Sequence, residues 1–319
     1  MIVAGIDEAG LGPVLGPLVV SATAFSLPGE LADLSMWQLL SGTVTRKVSR
    51  RHAAIAIGDS KKLFDSAQRE KGLRNLRRGV LAMLATQGCA PQTLEHLLAA
   101  VSPAAVEQAR RYPYYRDLSR PLGDGMESAL AGNALATALK RAGLALELMR
   151  AQTVFEGEFN RHIEATDNKS TLLFDITSRL LMELWQTFPG QPIRIHVDRQ
   201  GGRMRYLPVL QRLFEGGRFK ILEEEETLSA YRMTLDERTA EFYFAVGGEE
   251  RHLPVALASM LSKFVRELLM GAFNDFWAAH VPGIAPTAGY YVDGERFYRE
   301  IQHAARQLGI EAHRLRRSR

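Results

Sequence analysis

A chain of 319 residues can bury a sizeable core, and 46% hydrophobic with 24% charged residues is the balance of an ordinary soluble globular protein. Its one cysteine, Cys89, excludes an intramolecular disulfide and any cysteine-based zinc cluster, and no apolar run approaches the roughly 18 residues of a membrane span. A net charge of +4 leans toward an acidic partner such as nucleic acid but specifies none.

In chain order, "MIVAGID" and "LVVSATAF" read as two β-strands joined by a Gly/Pro turn. No basic leader precedes Asp7, which breaks the apolar start, so no signal peptide is expected. A spare thiol fits a cytoplasmic setting. "IAIGDSKKLF" is a short apolar run ending in a polar loop, and residues 65–87 read as a helix capped by Asp65 or Ser66. Between 90 and 150, helical periods are broken by Pro91, Pro103, Pro113 and Pro121, then a longer period turns toward a strand. Asp167 or Asn168 is placed to cap a helix whose inner face carries Leu172, Leu173, Ile176, Leu180 and Leu181. "QPIRIHVDRQGG" is a strand running into a glycine turn, and "RFKILEEEE" is another strand candidate. "LPVALASMLSKFVRELLMGAFNDFWAAH" is the strongest helix, followed by a Gly/Pro/Tyr loop and a last helix. Strands and helices intermix in an α/β manner, without internal repeats.

Two neighbouring acids, Asp7 and Glu8, sit where the first strand ends and three glycines follow. The end of a strand in an α/β sheet is where ligand sites form. Both acids cannot be buried and ionised without a cation. Asp198 likewise ends an apolar strand before a Gly–Gly turn, and Glu267 lies in the strongest helix, one turn after Lys263 and two after Ser259. Taken alone, Asp7–Glu8 reads as a solvated turn and Glu267 as half of a surface Lys–Glu pair. Together, acids on two strands and one helix suit a hard cation, Mg²⁺ or Mn²⁺. Two such ions can activate water and stabilise the leaving oxygen in phosphodiester cleavage.

These residues carry a resemblance. "GIDEAGLGPVLGPLVV" resembles the opening motif of the type 2 ribonuclease H family (ribonuclease HII), usually GxDEAGRGPxxGP. "DSKKL" is similar to the family's next motif, "HVDRQGG" to its VDG strand end, "ALASMLSKFVRELLM" to its AASIxAKVxRD helix and "TAGYYVD" to its GSGYPSD loop. The resemblance implies a ribonuclease H-like α/β fold, a central mixed β-sheet flanked by helices. It further implies an endonuclease that cuts RNA in RNA–DNA hybrids or at ribonucleotides embedded in duplex DNA, using two divalent ions. The ligands it implies are Asp7, Glu8, Asp198 and Glu267, with Asp7 bridging both ions. The contacts it implies to the duplex come from Gly10, Leu11 and Gly12, from Ser60, Lys61 and Lys62, and from Lys263 and Tyr290, with Tyr290 stacking on a sugar. Tyr290 as a loop aromatic packed on the last helix is the plain alternative.

The departures are specific. Leu11 stands where the family has arginine, Glu267 where it has aspartate, and Arg199 where it has glycine. Arg199 and Arg203 read equally as phosphate ligands or as a solvated basic turn. His196 shares a strand face with Asp198. The chain is expected to be one catalytic domain over 1–319, and a monomer, with insertions at about 30–55 and 90–150, the second mostly helical. That second insertion interleaves Arg110, Arg111, Arg116 and Arg120 with Tyr112, Tyr114 and Tyr115, either to grip nucleic acid or to pack on the protein. A divergent nuclease with another nucleic-acid substrate, and a non-catalytic nucleic-acid-binding protein, are the competing readings. Retention of four acids argues against the latter.

Overall fold

The first strand shows no alternation of buried and exposed positions, because both of its faces are covered. In β1 (Ile2–Ala9) the residues from Ile2 to Asp7 are buried; Val3 joins the apolar cluster on one face, while Ile2, Ala4 and Ile6 join that on the other. The computed structural model describes residues 1–48, 54–65, 72–123 and 125–318.

β1 pairs antiparallel with β2 (Leu18–Ser26) and parallel with β6 (Ile193–Asp198). A two-residue ladder between β3 (Val44–Thr45) and β4 (Ile55–Ala56) lies apart from the main sheet. The main sheet is completed by β5 (Ala145–Val154), β7 (Arg218–Glu224), β8 (Leu228–Leu235) and β9 (Arg238–Ala245), in the order β5-β2-β1-β6-β9-β8-β7. It is therefore a mixed seven-stranded sheet, with β1, β6 and β9 mutually parallel at its centre.

The long helix Leu253–His280 packs along β1 and β2 on one face, with Arg74–Thr86 and the helices of the 90–150 segment beyond it. The helix Lys169–Thr187 covers the other face through Leu172, Leu173, Ile176, Leu180 and Leu181. Its cap is Asn168, whose side chain accepts from the N–H groups of Ser170 and Thr171, while Asp167 sits in left-handed conformation ending the preceding helix. The long helix touches β1 at Gly5, where a Cβ would lie 2.1 Å from the Val255 nitrogen.

Two sequence expectations change, and the open question of the tyrosine rings is decided in favour of packing. The helix read over 65–87 runs from Arg74 to Thr86, and Ser66 lies outside the described residues. The β8–β9 hairpin went unread; Asp236 and Glu237, at φ 49° and 61°, form its two-residue turn without the usual glycine. Tyr112, Tyr114 and Tyr115 are buried against Phe155, Phe273 and Trp277, so these rings pack on the protein and are not open to bases. Among the described residues no helix is long and apolar enough to cross a membrane.

Candidate metal centre

Because β1 and β6 are adjacent and parallel, their carboxyl ends carry Asp7 and Asp198 side by side. A third acid arrives from the segment after β9: carboxylate oxygens of Asp7, Asp198 and Glu249 all lie within 4.8 Å of one another. Among the described residues this is the one group of three or more potential ligands so gathered. Glu249 enters because the Gly248 N–H donates to Asp198 Oδ1 at 2.8 Å, which fixes the residue beside it. Glu8 is next to the group and close enough to Asp198 for the two to repel.

Burial, then the charges of Glu8 and Asp198, hold the Asp7 carboxyl well above the usual carboxylate range. Burial and Asp198 push Glu8 up to about 7. Burial raises Asp198 as well, and burial with the Asp198 charge raises Glu249. Four acids thus share one site with too little positive charge. Burial works to lower the Lys61 pKa, but Glu249, Asp7, Asp59 and Asp198 outweigh it and raise it. All the donor atoms of the cluster are carboxylate oxygens, the set that suits a hard divalent cation and not a thiolate-seeking metal.

The other predicted residues divide. Ser60 is buried, its hydroxyl 3.0 Å from that of Ser259, which in turn hydrogen-bonds Asp7. This chain of hydroxyls pins the short helix Ser60–Leu63 beside the acids and presents Lys61 to them. Lys62 is turned away, in ion pairs with Asp59 and Glu250 at 2.9 and 3.0 Å. Glu267 is not in the cluster: its carboxylate lies 3.3 Å from Lys263 Nζ and 3.4 Å from Arg266 Nη1. Ser262, whose hydroxyl is 3.0 Å from the Asp7 carbonyl, marks where the long helix passes the acids. Glu267 is five residues beyond it, about 7.5 Å along the axis at 1.5 Å per residue. Lys263 spends its charge on Glu267 and on the Phe64 ring.

The Arg199 guanidinium donates to backbone carbonyls of Arg203 and Glu226, so it closes two loops together. Arg203 lies over the rings of Phe174 and Tyr206. His196 stacks on His252 with ring centroids 3.6 Å apart, and burial with the neighbouring His252 and Arg194 holds it neutral. Gly10 has φ 95° and a Cβ there would strike Arg266; Gly12 faces open space. Leu11, half-buried between them, packs against the apolar cluster on the Lys169–Thr187 side of the sheet. The Gly289 carbonyl accepts from the N–H groups of Val14 and Leu15 at 2.8 and 3.2 Å, so the loop carrying the exposed Tyr290 docks on the glycine turn.

Glu249 escaped the sequence reading. Its signal was there in "VGGEERHLPVALASM", a Gly–Gly turn and acids between an apolar strand and the strongest helix, the same strand–acid–glycine grammar as at Asp7 and Asp198.

No protein-family model and no curated protein matches the chain. Solved structures do. Ribonuclease HII in its complex with PCNA from Archaeoglobus fulgidus aligns over 100% of this chain and 95% of that one, at 14% identity and TM-score 0.44. Ribonuclease H2 from Pyrococcus horikoshii OT3 aligns over 99% and 92%, at 15% identity and TM-score 0.43. Bst-RNase HIII in complex with Mn²⁺ aligns over 99% of this chain and 66% of its own, at 12% identity and TM-score 0.46. Along its whole length the chain is similar to ribonucleases H of these kinds.

Proposed function

We propose that the chain is a divalent-metal-dependent endonuclease of the ribonuclease H type. Its substrate in this reading is RNA within RNA–DNA hybrids, or the junction at a ribonucleotide embedded in duplex DNA. The observation that carries the reading is the convergence of Asp7, Asp198 and Glu249 at the ends of adjacent parallel strands, beside a glycine turn.

In this mechanism Asp7, Glu8, Asp198 and Glu249 hold Mg²⁺ or Mn²⁺, with Glu249 taking the fourth place that the motif resemblance gave to Glu267. Two ions, when bound, would supply Lewis-acid activation of water and stabilisation of the leaving oxygen. The chain's own residues do the rest. The Ser259 hydroxyl orients Asp7, and Ser60 orients Ser259. Lys61 provides a point charge for a phosphate of the bound strand. The turn at Gly10–Gly12 brings backbone close to the sugar–phosphate chain, and the exposed Tyr290 ring offers a stacking face for a sugar. The whole chain works as one catalytic domain with two insertions.

The test is cleavage of four labelled duplexes with Mg²⁺ or Mn²⁺: an RNA–DNA hybrid, DNA with one ribonucleotide, all-DNA and all-RNA, each beside Asp7→Asn. Cleavage of the first two, lost in Asp7→Asn, is the expected result. Cleavage of all-DNA alone points to a divergent nuclease, and salt-sensitive binding without cleavage to a non-catalytic binder.

A further inference from the structure

Two of the largest fully buried side chains in the molecule are arginines, Arg266 and Arg317, and a fully buried glutamate, Glu156, lies among them. A guanidinium taken out of water is costly unless its donors are met. For Arg317, Nε and Nη2 are met by carbonyls of one turn, while among the described residues its Nη1 and the Arg266 Nε find no hydrogen-bond partner. Arg317 Nε donates to the Pro13 carbonyl at 3.0 Å, and Nη2 donates to the Gly10 carbonyl at 2.6 Å and also to Pro13. Its backbone N–H donates to the Val14 carbonyl at 2.8 Å. Arg266 reaches the same turn from the long helix, with Nη2 3.4 Å from the Leu15 carbonyl and 2.9 Å from that of Ala288.

The C-terminal segment that brings Arg317 is itself fastened. Asn160 Nδ2 donates to the carbonyls of His313 and Arg316 at 2.6 and 2.8 Å, and the Ser318 N–H donates back to Asn160 Oδ1 at 2.6 Å. The Phe159 ring lies under the Arg317 guanidinium, 4.4 Å from its centroid. Even with its pKa pushed down to about 9, chiefly by burial and then by Arg266, this side chain is a cation at neutral pH.

Among the described residues no peptide bond is cis, so each carbonyl points opposite to the N–H of its own peptide. The Gly10 carbonyl is drawn inward to Arg317, and the Leu11 N–H therefore points away from that guanidinium. A cation on the carbonyl also strengthens that N–H as a donor.

We propose that Arg317 is a positioning residue for the duplex site: from the C-terminal tail it fixes the Gly10–Pro13 turn so that the Leu11 N–H faces an oxygen of the bound sugar–phosphate strand. This rests on the nuclease reading, and the turn begins two residues after Glu8.

The experiment compares wild type with Arg317→Gln, Arg317→Lys and Asn160→Ala, by amide hydrogen exchange over residues 8–18 and by KM and kcat on DNA containing one ribonucleotide. Loss of hydrogen bonds to a charged donor predicts, for Arg317→Gln, about tenfold faster exchange at Val14 and Leu15, whose N–H groups reach the Gly289 carbonyl only while the turn is held, and a KM raised about tenfold, with kcat changed less. Arg317→Lys, which keeps the charge but not the fork, falls between. Should Arg317→Gln fail to fold, Asn160→Ala loosens the tail while leaving Arg317 in place and shifts the same two readouts. A lowered melting temperature with unchanged loop exchange and unchanged KM overturns the proposal. If wild type cleaves no duplex, the nuclease reading fails and the site-directed part of this proposal falls with it, whereas the exchange data still decide whether Arg317 holds the turn.

Discussion

The N–H of Gly248 donates to Asp198 Oδ1 at 2.8 Å, and that one bond ties the segment after β9 to the end of β6. The next residue, Glu249, thereby joins Asp7 and Asp198, whereas Glu267 is engaged by Lys263 and Arg266. Glu249→Gln is expected to lower metal-dependent cleavage by at least the roughly 10–100-fold that loss of even an outer-sphere partner costs. Glu267→Gln removes a helix ion pair and leaves cleavage close to wild type. Parallel kinetics of the two variants check this; a dead Glu267→Gln beside an active Glu249→Gln reverses the assignment.

Crowded acids bind a cation at the expense of protons. Burial and the Asp198 charge put Glu8 at about 7, and Asp7 is also raised, again chiefly by burial. At pH 6 Glu8 holds a proton that a divalent ion must displace. Affinity for Mg²⁺ or Mn²⁺ is therefore expected to rise with pH through about 7. Calorimetric titration in two buffers of different ionisation enthalpy measures the protons released. About one or more at pH 6 is the expected value, and none would mean that the ion binds elsewhere.

Much of this was legible in the sequence because strand ends, glycines and caps are local signals. Asp7 and Asp198 announce themselves by ending apolar runs, and the amphipathic period marks the helix that begins at Lys169. The choice between Asp167 and Asn168 as its cap is settled by φ, since Asp167 at 47° terminates one helix and Asn168 at −151° starts the next. Glu267 lies outside the three-acid group because a motif gives the order of residues and not their rise along a helix. The β8–β9 hairpin stayed hidden because its turn, Asp236–Glu237, takes positive φ without glycine or asparagine. The fate of Tyr112, Tyr114 and Tyr115 depended on Phe273 and Trp277, more than 150 positions away, which no local pattern contains.

Two nearby glycines are predicted to fail differently. At Gly5 an added methyl would sit 2.1 Å from the Val255 nitrogen and 2.2 Å from the Pro254 carbonyl carbon, both backbone atoms of the long helix. Gly5→Ala must push that helix off β1, at a cost of about 3 kcal/mol or more. At Gly12 the same methyl meets nothing within 4 Å. Gly12→Ala is therefore expected to keep the wild-type denaturation midpoint yet weaken duplex binding, because the methyl fills open space at the turn that the proposed reading sets against the sugar–phosphate strand. Urea denaturation and duplex titration of both variants test the pair, and equal stability would refute the close packing of β1 on the helix.

Glu156 supplies the last prediction. It is fully buried, with Oε1 accepting from the Gly16 N–H at 3.1 Å and from the Tyr115 hydroxyl at 2.8 Å. Burial raises its pKa to about 7 despite those bonds and the nearby Arg317. A raised acid stabilises the fold while it is protonated in the native state. That contribution is full below the unfolded value of 4.5 and is lost as pH rises through about 7. At 1.36 kcal/mol per pH unit, the interval corresponds to about 3 kcal/mol. Glu156→Gln keeps an acceptor for Gly16 and Tyr115 but cannot titrate. Between pH 5 and pH 8, metal-free wild type should lose stability relative to Glu156→Gln, measured by urea denaturation at each pH. Parallel curves would mean that Glu156 stays ionised across the range, held so by Arg266 and Arg317.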